Sequence, residues 1–194
     1  MKNLYHEPHL IRKIYTSSLD EQAEILKSLN SRTDTEAERL KQYIGLPDLT
    51  RLDGSPVKTI TERVINLDSL KGFDLIQIPD VASPQLIFDL FNFPKDHPAR
   101  SSSDTYFVDK THILRSHVSH MWKYYLDIPE VQEKLKKNGS VGVISYGTVY
   151  RRDEIDWQHS NVLHHIDGLF ICRKDIKEMK QPDLENILTE VAQS

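Results

Sequence analysis

The stretch from Ser145 to Cys172, SYGTVYRRDEIDWQHSNVLHHIDGLFIC, constrains the fold more than any other part of the chain. Tyr146, Thr148 and Tyr150 alternate with smaller residues on the way in, and Leu163 to Cys172 is rich in β-formers on the way out. Polar and charged residues from Arg152 to Asn161 separate the two runs, so the segment predicts a strand, a long polar loop and a returning strand. Residues two apart on a strand share a face, which points Arg151 together with Asp153, and His165 together with Asp167 across the loop. A guanidinium beside a carboxylate, facing an imidazole and a second carboxylate, suits a phosphate, a metal ion or an ammonium group. The same pattern also describes a solvated, charge-bearing hairpin edge with no chemistry of its own.

The chain around this hairpin is long enough, at 194 residues, for one domain with a real core and a small accessory segment. Its formal net charge of −4 means that any nucleic-acid partner has to meet a local basic patch. Cys172 is the only cysteine, which excludes an internal disulfide framework and a CxxC metal site. The N-terminus, MKNLYHEPHLIRKIY, lacks the apolar core of a signal peptide, and no apolar run reaches membrane-spanning length. These features lead us to expect a cytoplasmic protein that does not enter a membrane.

Residues 1–50 read as a separate helical segment. Leu19, Ala23, Leu26 and Leu29 recur at helical spacing, and Thr35 is placed to cap a second helix through Ala37, Leu40 and Ile44. Ser55-Pro56 opens a third helix with Ser as N-cap, and Lys71-Gly72 stops it. KGFDLIQIPDV, Lys71 to Val81, then reads as a strand with Phe73 and Leu75 inward, closed by Pro79. Asp89 to Phe107 is a Pro- and Ser-rich loop carrying His97, Arg100 and Asp104, with the length and polarity of a flap. Trp122 to Lys137 is an amphipathic helical region interrupted by Pro129, and a last helix starts at Pro182.

Several of these strings resemble one family. YRRD (Tyr150 to Asp153), the Asp156-x-x-His159 spacing and HHIDG (His164 to Gly168) resemble motif 2 of class II aminoacyl-tRNA synthetases, in the form found in phenylalanyl-tRNA synthetase α subunits. Gly72, Phe73 and Pro79 are similar to motif 1, about residues 55–81, which in the family packs across a subunit interface. FNFPKDHPAR followed by DTYF is the most specific match, and THILRSHVS continues it. The resemblance runs from about residue 55 to 190.

It implies a partial catalytic core over residues 51–194, with motif 2 at about 145–172. The fold expected is α+β, an antiparallel sheet with the motif 2 hairpin at its centre, flanked by helices. The activity implied is activation of an amino acid by ATP, with Mg²⁺, and transfer to tRNA. L-phenylalanine or a related amino acid is the implied substrate, and a β subunit or a homodimer mate through motif 1 the implied partner. Arg151 and Asp153 are the implied catalytic pair, Arg151 neutralising the α-phosphate and Asp153 orienting it or helping to hold Mg²⁺. Arg151 and His159 are the implied ATP contacts. His117, Ser119, Trp122, His165 and Asp167 would line the amino-acid side, with no metal held by the protein alone.

Four departures from the family pattern matter. His165 stands where the family usually has Gln, Asp167 where it has Glu, and Trp122 where it tends to hold Gln. A shorter acid changes the reach to the substrate amino group by roughly one methylene, enough to redirect recognition. The last glycine is Gly168, so nothing resembling the Gly-rich motif 3 follows, and the module is expected to be incomplete as a single chain. Two other readings stay open: a synthetase-like binding or dimerisation protein without turnover, and a hydrolase using His117, His159, His165 and Asp167 as metal ligands, whose spacing matches no zinc signature.

Overall fold

The structure is a computed structural model that describes residues 14–16 and 20–194. Leu19, expected within the first helix, lies outside the described residues. Two helices come first: α1 (Asp20–Asn30), with Asp20 and Glu21 in its first turn and Lys27 in its last, and α2 (Thr35–Ile44). The cap of α2 is Asp34 rather than Thr35. Its carboxylate accepts from Ala37 N at 3.0 Å and is held at about pKa 2, chiefly by hydrogen bonds from Arg32 and then from that amide. α3 (Pro56–Ile65) begins as expected, with Ser55 Oγ accepting from Val57 N at 3.2 Å and Pro56 in the first turn.

The main sheet has four strands in the order β1 (Ile14–Thr16), β2 (Asp74–Gln77), β5 (Ser140–Tyr150), β6 (Val162–Cys172). β5 and β6 pair antiparallel from Tyr150↔Val162 to Ser140↔Cys172. The α+β architecture is present, with a correction to the sheet. It is mixed, since β1–β2 and β2–β5 run parallel, and among the described residues β6 is an outer strand, so the hairpin is not central. Parallel pairing requires a long crossover, and residues 78–139 supply it. They contain a small antiparallel pair, β3 (Val81–Ala82) with β4 (Ile113–Leu114), and the helices α4 (Pro84–Ile87), α5 (Met121–Leu126) and α6 (Pro129–Asn138). Pro129 lies in the first turn of α6, where its missing N–H costs nothing. α7 (Gln181–Gln193) closes the described chain.

Both faces of the hairpin are covered. Val141, Val143 and Val149 pack with Ile76, Ile78, Val118, Met121, Tyr125 and Val131 under α5 and α6. On the other face Ile144 meets Val64, Ile65, Leu70 and Phe73, with Ile187 and Val191 of α7 alongside. At the loop end, Tyr150 joins Leu29, Ala37 and Leu40 of α1 and α2, together with Tyr106 and Val108 of the flap segment. β2 buries Asp74 and Ile76 on one face, while Leu75 is half-buried and Gln77 exposed on the other, and Asp74 is satisfied by Tyr125 Oη at 2.6 Å and Lys134 Nζ at 3.0 Å.

Candidate active site

Strand β5 ends at Tyr150, and Arg151 N donates to Asn161 O at 3.0 Å, which closes the neck of the loop. The Arg151 side chain turns back across the crossover, Nε donating to Ser116 O at 3.3 Å, and stays exposed. Asp153 lies past the end of the strand in the exposed loop, so the shared strand face expected for Arg151 and Asp153 does not form. The Asp156-x-x-His159 spacing makes a local turn: Asp156 Oδ1 accepts from Gln158 N and His159 N, both at 2.7 Å, and bonds His159 Nδ1 at 2.8 Å.

On β6 the alternation holds. His165 stands opposite Gly147 and Asp167 opposite Ser145, so both lie on the face that α5 covers, whereas His164 points the other way and accepts from Leu49 N at 3.1 Å. His117 reaches this face from the crossover. Its Nε2 donates to Ile87 O at 3.1 Å, and its ring meets Phe91 edge-on at 4.9 Å. Trp122 joins the same group through Phe91, centroid to centroid 6.3 Å. Ser119 is half-buried, and its carbonyl accepts from Trp122 N at 3.4 Å.

Burial pushes the pKa of His165 below the usual imidazole value, the Arg151 charge and His117 push it further, and Asp167 opposes them. Burial likewise lowers His117; the Ile87 carbonyl and Asp167 work against it, and Arg151 adds to it. These mutual effects put Arg151, His117, His165 and Asp167 in one electrostatic neighbourhood. Burial thus favours the neutral form of both imidazoles, which can act as hydrogen-bonding groups without repelling a cation. The arrangement offers an exposed guanidinium to an anion and a half-buried carboxylate to an ammonium group.

Three supporting residues escape a reading by spacing alone. Arg115 is 3% exposed; its Nε donates to Thr148 O at 2.8 Å, one terminal nitrogen to Ile78 O at 2.8 Å, and the other pairs with Asp80 at 2.7 Å. It sews the end of the β2 segment to the hairpin. Gly147 leaves room for it: φ is +148°, and a Cβ would stand 2.7 Å from Arg115 and 3.2 Å from Arg51. His120 is fully buried, and its pKa is pushed down to about 3 by burial first and by Arg115 and His117 next. Both its ring nitrogens, His117 Nδ1 and Ser145 Oγ are buried without a hydrogen-bond partner among the described residues.

Among the described residues no group of three or more His, Cys, Asp or Glu is arranged to hold a metal ion, so the four-ligand hydrolase site has no counterpart there. No helix among them is long and apolar enough to cross a membrane.

Comparison with known proteins identifies the family and the fold. The chain is 34% identical over 175 residues to the phenylalanine–tRNA ligase alpha subunit of Geobacter sulfurreducens, covering 89% of this chain and 47% of that protein. It is 32% identical over 188 residues to the protein of the same name from Trichlorobacter lovleyi, covering 94% and 52%. The chain thus spans about half the length of the curated relatives it matches. A solved pyrrolysyl tRNA synthetase from Desulfitobacterium hafniense superposes with a TM-score of 0.53 at 14% identity, over 93% of this chain and 68% of that one, a likeness of fold. The family described as tRNA synthetases class II core domain (F) matches residues 44–194, and the chain belongs to that family.

Proposed function

We propose that this chain is a catalytic module of the phenylalanine–tRNA ligase type, activating an amino acid with ATP for transfer to tRNA. The observation that carries the reading is that His117 and His165 lie between the influence of Arg151 and that of Asp167 on one face of the hairpin in a class II core. The attacking group in such a reaction is a carboxylate that is already ionised, so no general base is required, and catalysis rests on placement and on neutralising charge at the α-phosphate. Arg151 supplies a delocalised cation that can grip two non-bridging oxygens. Asp167 receives the substrate ammonium group, and neutral His117 and His165 orient it without competing charge. Ser119 and Trp122 border the side-chain end, and His159 meets the nucleotide from the loop.

Magnesium fits as a companion of the nucleotide. The described residues offer it no cluster of three or more ligands, so the reading gives it Asp153 of the loop, and Mg²⁺ is commonly carried by one or two carboxylates together with substrate phosphates. The partners of the reading are tRNA and a β subunit, or a second copy meeting it through the motif 1 segment, in the cytoplasm. In this reading residues 1–50, which among the described residues hold β1, α1 and α2, are an accessory segment and 51–194 the partial core.

The test is amino-acid-dependent exchange of pyrophosphate into ATP, run on this chain supplemented with the C-terminal part of a matching alpha subunit and with its β subunit. Exchange that disappears in Arg151→Ala supports the module. Exchange at the parental rate in that variant removes the role given to Arg151. One observation favours a second reading, a binding protein without turnover: Phe91 meets the rings of both His117 and Trp122 and crowds the amino-acid side. Binding of ATP and tRNA without exchange in the completed assembly selects that reading.

A further inference from the structure

Beside the proposed catalytic arginine stands a second arginine whose partners are all in the protein. Arg152 places one terminal nitrogen 2.7 and 2.6 Å from the two carboxylate oxygens of Glu36 on α2. Its other terminal nitrogen donates to Ser102 O at 2.6 Å, its backbone N donates to Asp104 O at 3.0 Å, and its guanidinium lies 4.9 Å over the Tyr106 ring. The Tyr106 ring meets Tyr43 of α2 edge-on at 5.3 Å. Tyr43 Oη in turn accepts from Asn161 Nδ2 at 3.0 Å, and Asn161 O receives the amide of Arg151. The ring of contacts is closed. Both sides of the loop neck, Arg152 on the outgoing side and Asn161 on the returning side, are fastened to the same helix.

The two neighbouring arginines are therefore divided in task by their surroundings. Arg152 is held by a carboxylate, a carbonyl and an aromatic face, a combination that fixes a planar guanidinium in direction as well as place. Among the described residues the Arg151 side chain makes a single long bond, to Ser116 O, and the rest of its fork stays available. A residue bonded on one side and free on the other inherits its aim from whatever fixes its backbone, and here that is Arg152 and the Arg151–Asn161 amide bond.

Resting on the reading of Arg151 as the phosphate ligand, we propose that Glu36 and Arg152 form a positioning pair, by which α2 sets where Arg151 meets the nucleotide's phosphates. The N-terminal helices then act on the site itself, not only as packing on the core.

The test uses the full chain and compares two ligands, ATP and adenosine, by titration calorimetry. In Glu36→Gln and Arg152→Gln the affinity for ATP is expected to fall about tenfold, while adenosine, which lacks the phosphates Arg151 would grip, binds as in the parent. Arg152→Lys, which keeps a cation able to meet both Glu36 and Ser102 O, is expected to retain much of the ATP affinity that Arg152→Gln loses. A loss of cooperative unfolding in the single variants is read separately by urea titration, and Arg152→Lys keeps the test usable if one of them folds poorly. Parental ATP affinity in both folded single variants, or an equal loss for ATP and adenosine, overturns the positioning role and leaves the reading of Arg151 intact. A parental chain that binds neither ligand overturns the nucleotide reading and the positioning role with it.

Discussion

Arg115 and Asp80 pair at 2.7 Å across the seam between the end of the β2 segment and the hairpin, with the Arg115 side chain only 4% exposed and that of Asp80 34%. The pair is unequal. Burial raises the Asp80 carboxyl pKa although Arg115 opposes it, so the partnership is worth having only while the guanidinium also satisfies Ile78 O, Pro79 O and Thr148 O. Removing the arginine strands all of these at once. Arg115→Ala is expected to lose about 3–5 kcal/mol of stability, the range for deleting one partner of a buried ion pair. Urea unfolding measures it, and a loss below about 1 kcal/mol would show that the seam is held by other contacts.

Gly147 and Gly168 give a matched comparison on the same hairpin. Gly147 has φ +148° and would drive a Cβ into Arg115, whereas a Cβ on Gly168 would meet nothing nearer than Val143 O at 3.7 Å. Gly147→Ala is expected to cost at least about 1–3 kcal/mol through backbone strain, with the contact adding to it. Gly168→Ala should stay within about 0.5 kcal/mol of the parent, as an open surface position does. Thermal melts of the two variants in parallel decide the point; equal losses would contradict the crowding at Gly147.

The buried histidines make stability depend on pH in a stated direction. His120, His117 and His165 all have folded pKa values below the usual imidazole value, His120 at about 3. The unfolded chain therefore takes up protons that the folded chain refuses as pH falls below the unfolded value of about 6.5. Stability is fully present above that value and is lost as pH falls from there toward the folded pKa values. The urea midpoint is expected to drop between pH 7 and pH 5, a window above the carboxylates held at about 2, Asp34 and Asp109. His120→Phe should flatten that drop, and an unchanged pH slope in this variant would show that His120 is not the group refusing the proton.

The hairpin was legible because its two strands carry continuous β-formers and its loop is polar from end to end. His165 and Asp167 share a face for the simple reason that strand side chains alternate. Arg151 and Asp153 do not, because the neck closes at the Arg151–Asn161 bond before Asp153 is reached. Position along the chain could not reveal that boundary, since Arg152 leaves the strand to meet Glu36, 116 residues earlier. The mixed sheet was hidden for a related reason. β1 has three residues and β2 has four, and their direction is set by the crossover that joins β2 to β5, not by any local pattern. His120 gave no signal at all, because a histidine in a helix-start sequence looks the same whether it faces water or the core.

The loop that separates the two strands carries its own reporter. Trp157 is 88% exposed and Ile155 71% exposed, beside Asp156 and His159 in their local turn, and Trp122 is the one other tryptophan in the chain. Large apolar side chains held this far into water at the rim of a proposed nucleotide site have apolar surface to bury if the loop folds over a ligand. In a Trp122→Phe background all indole fluorescence comes from Trp157. Addition of ATP is expected to shift its emission to shorter wavelength, and Arg151→Ala in the same background should abolish the shift. Emission that stays at the solvent-exposed wavelength under saturating ATP, with binding verified by calorimetry, would show that the loop does not close over the nucleotide and that His159 does not reach it.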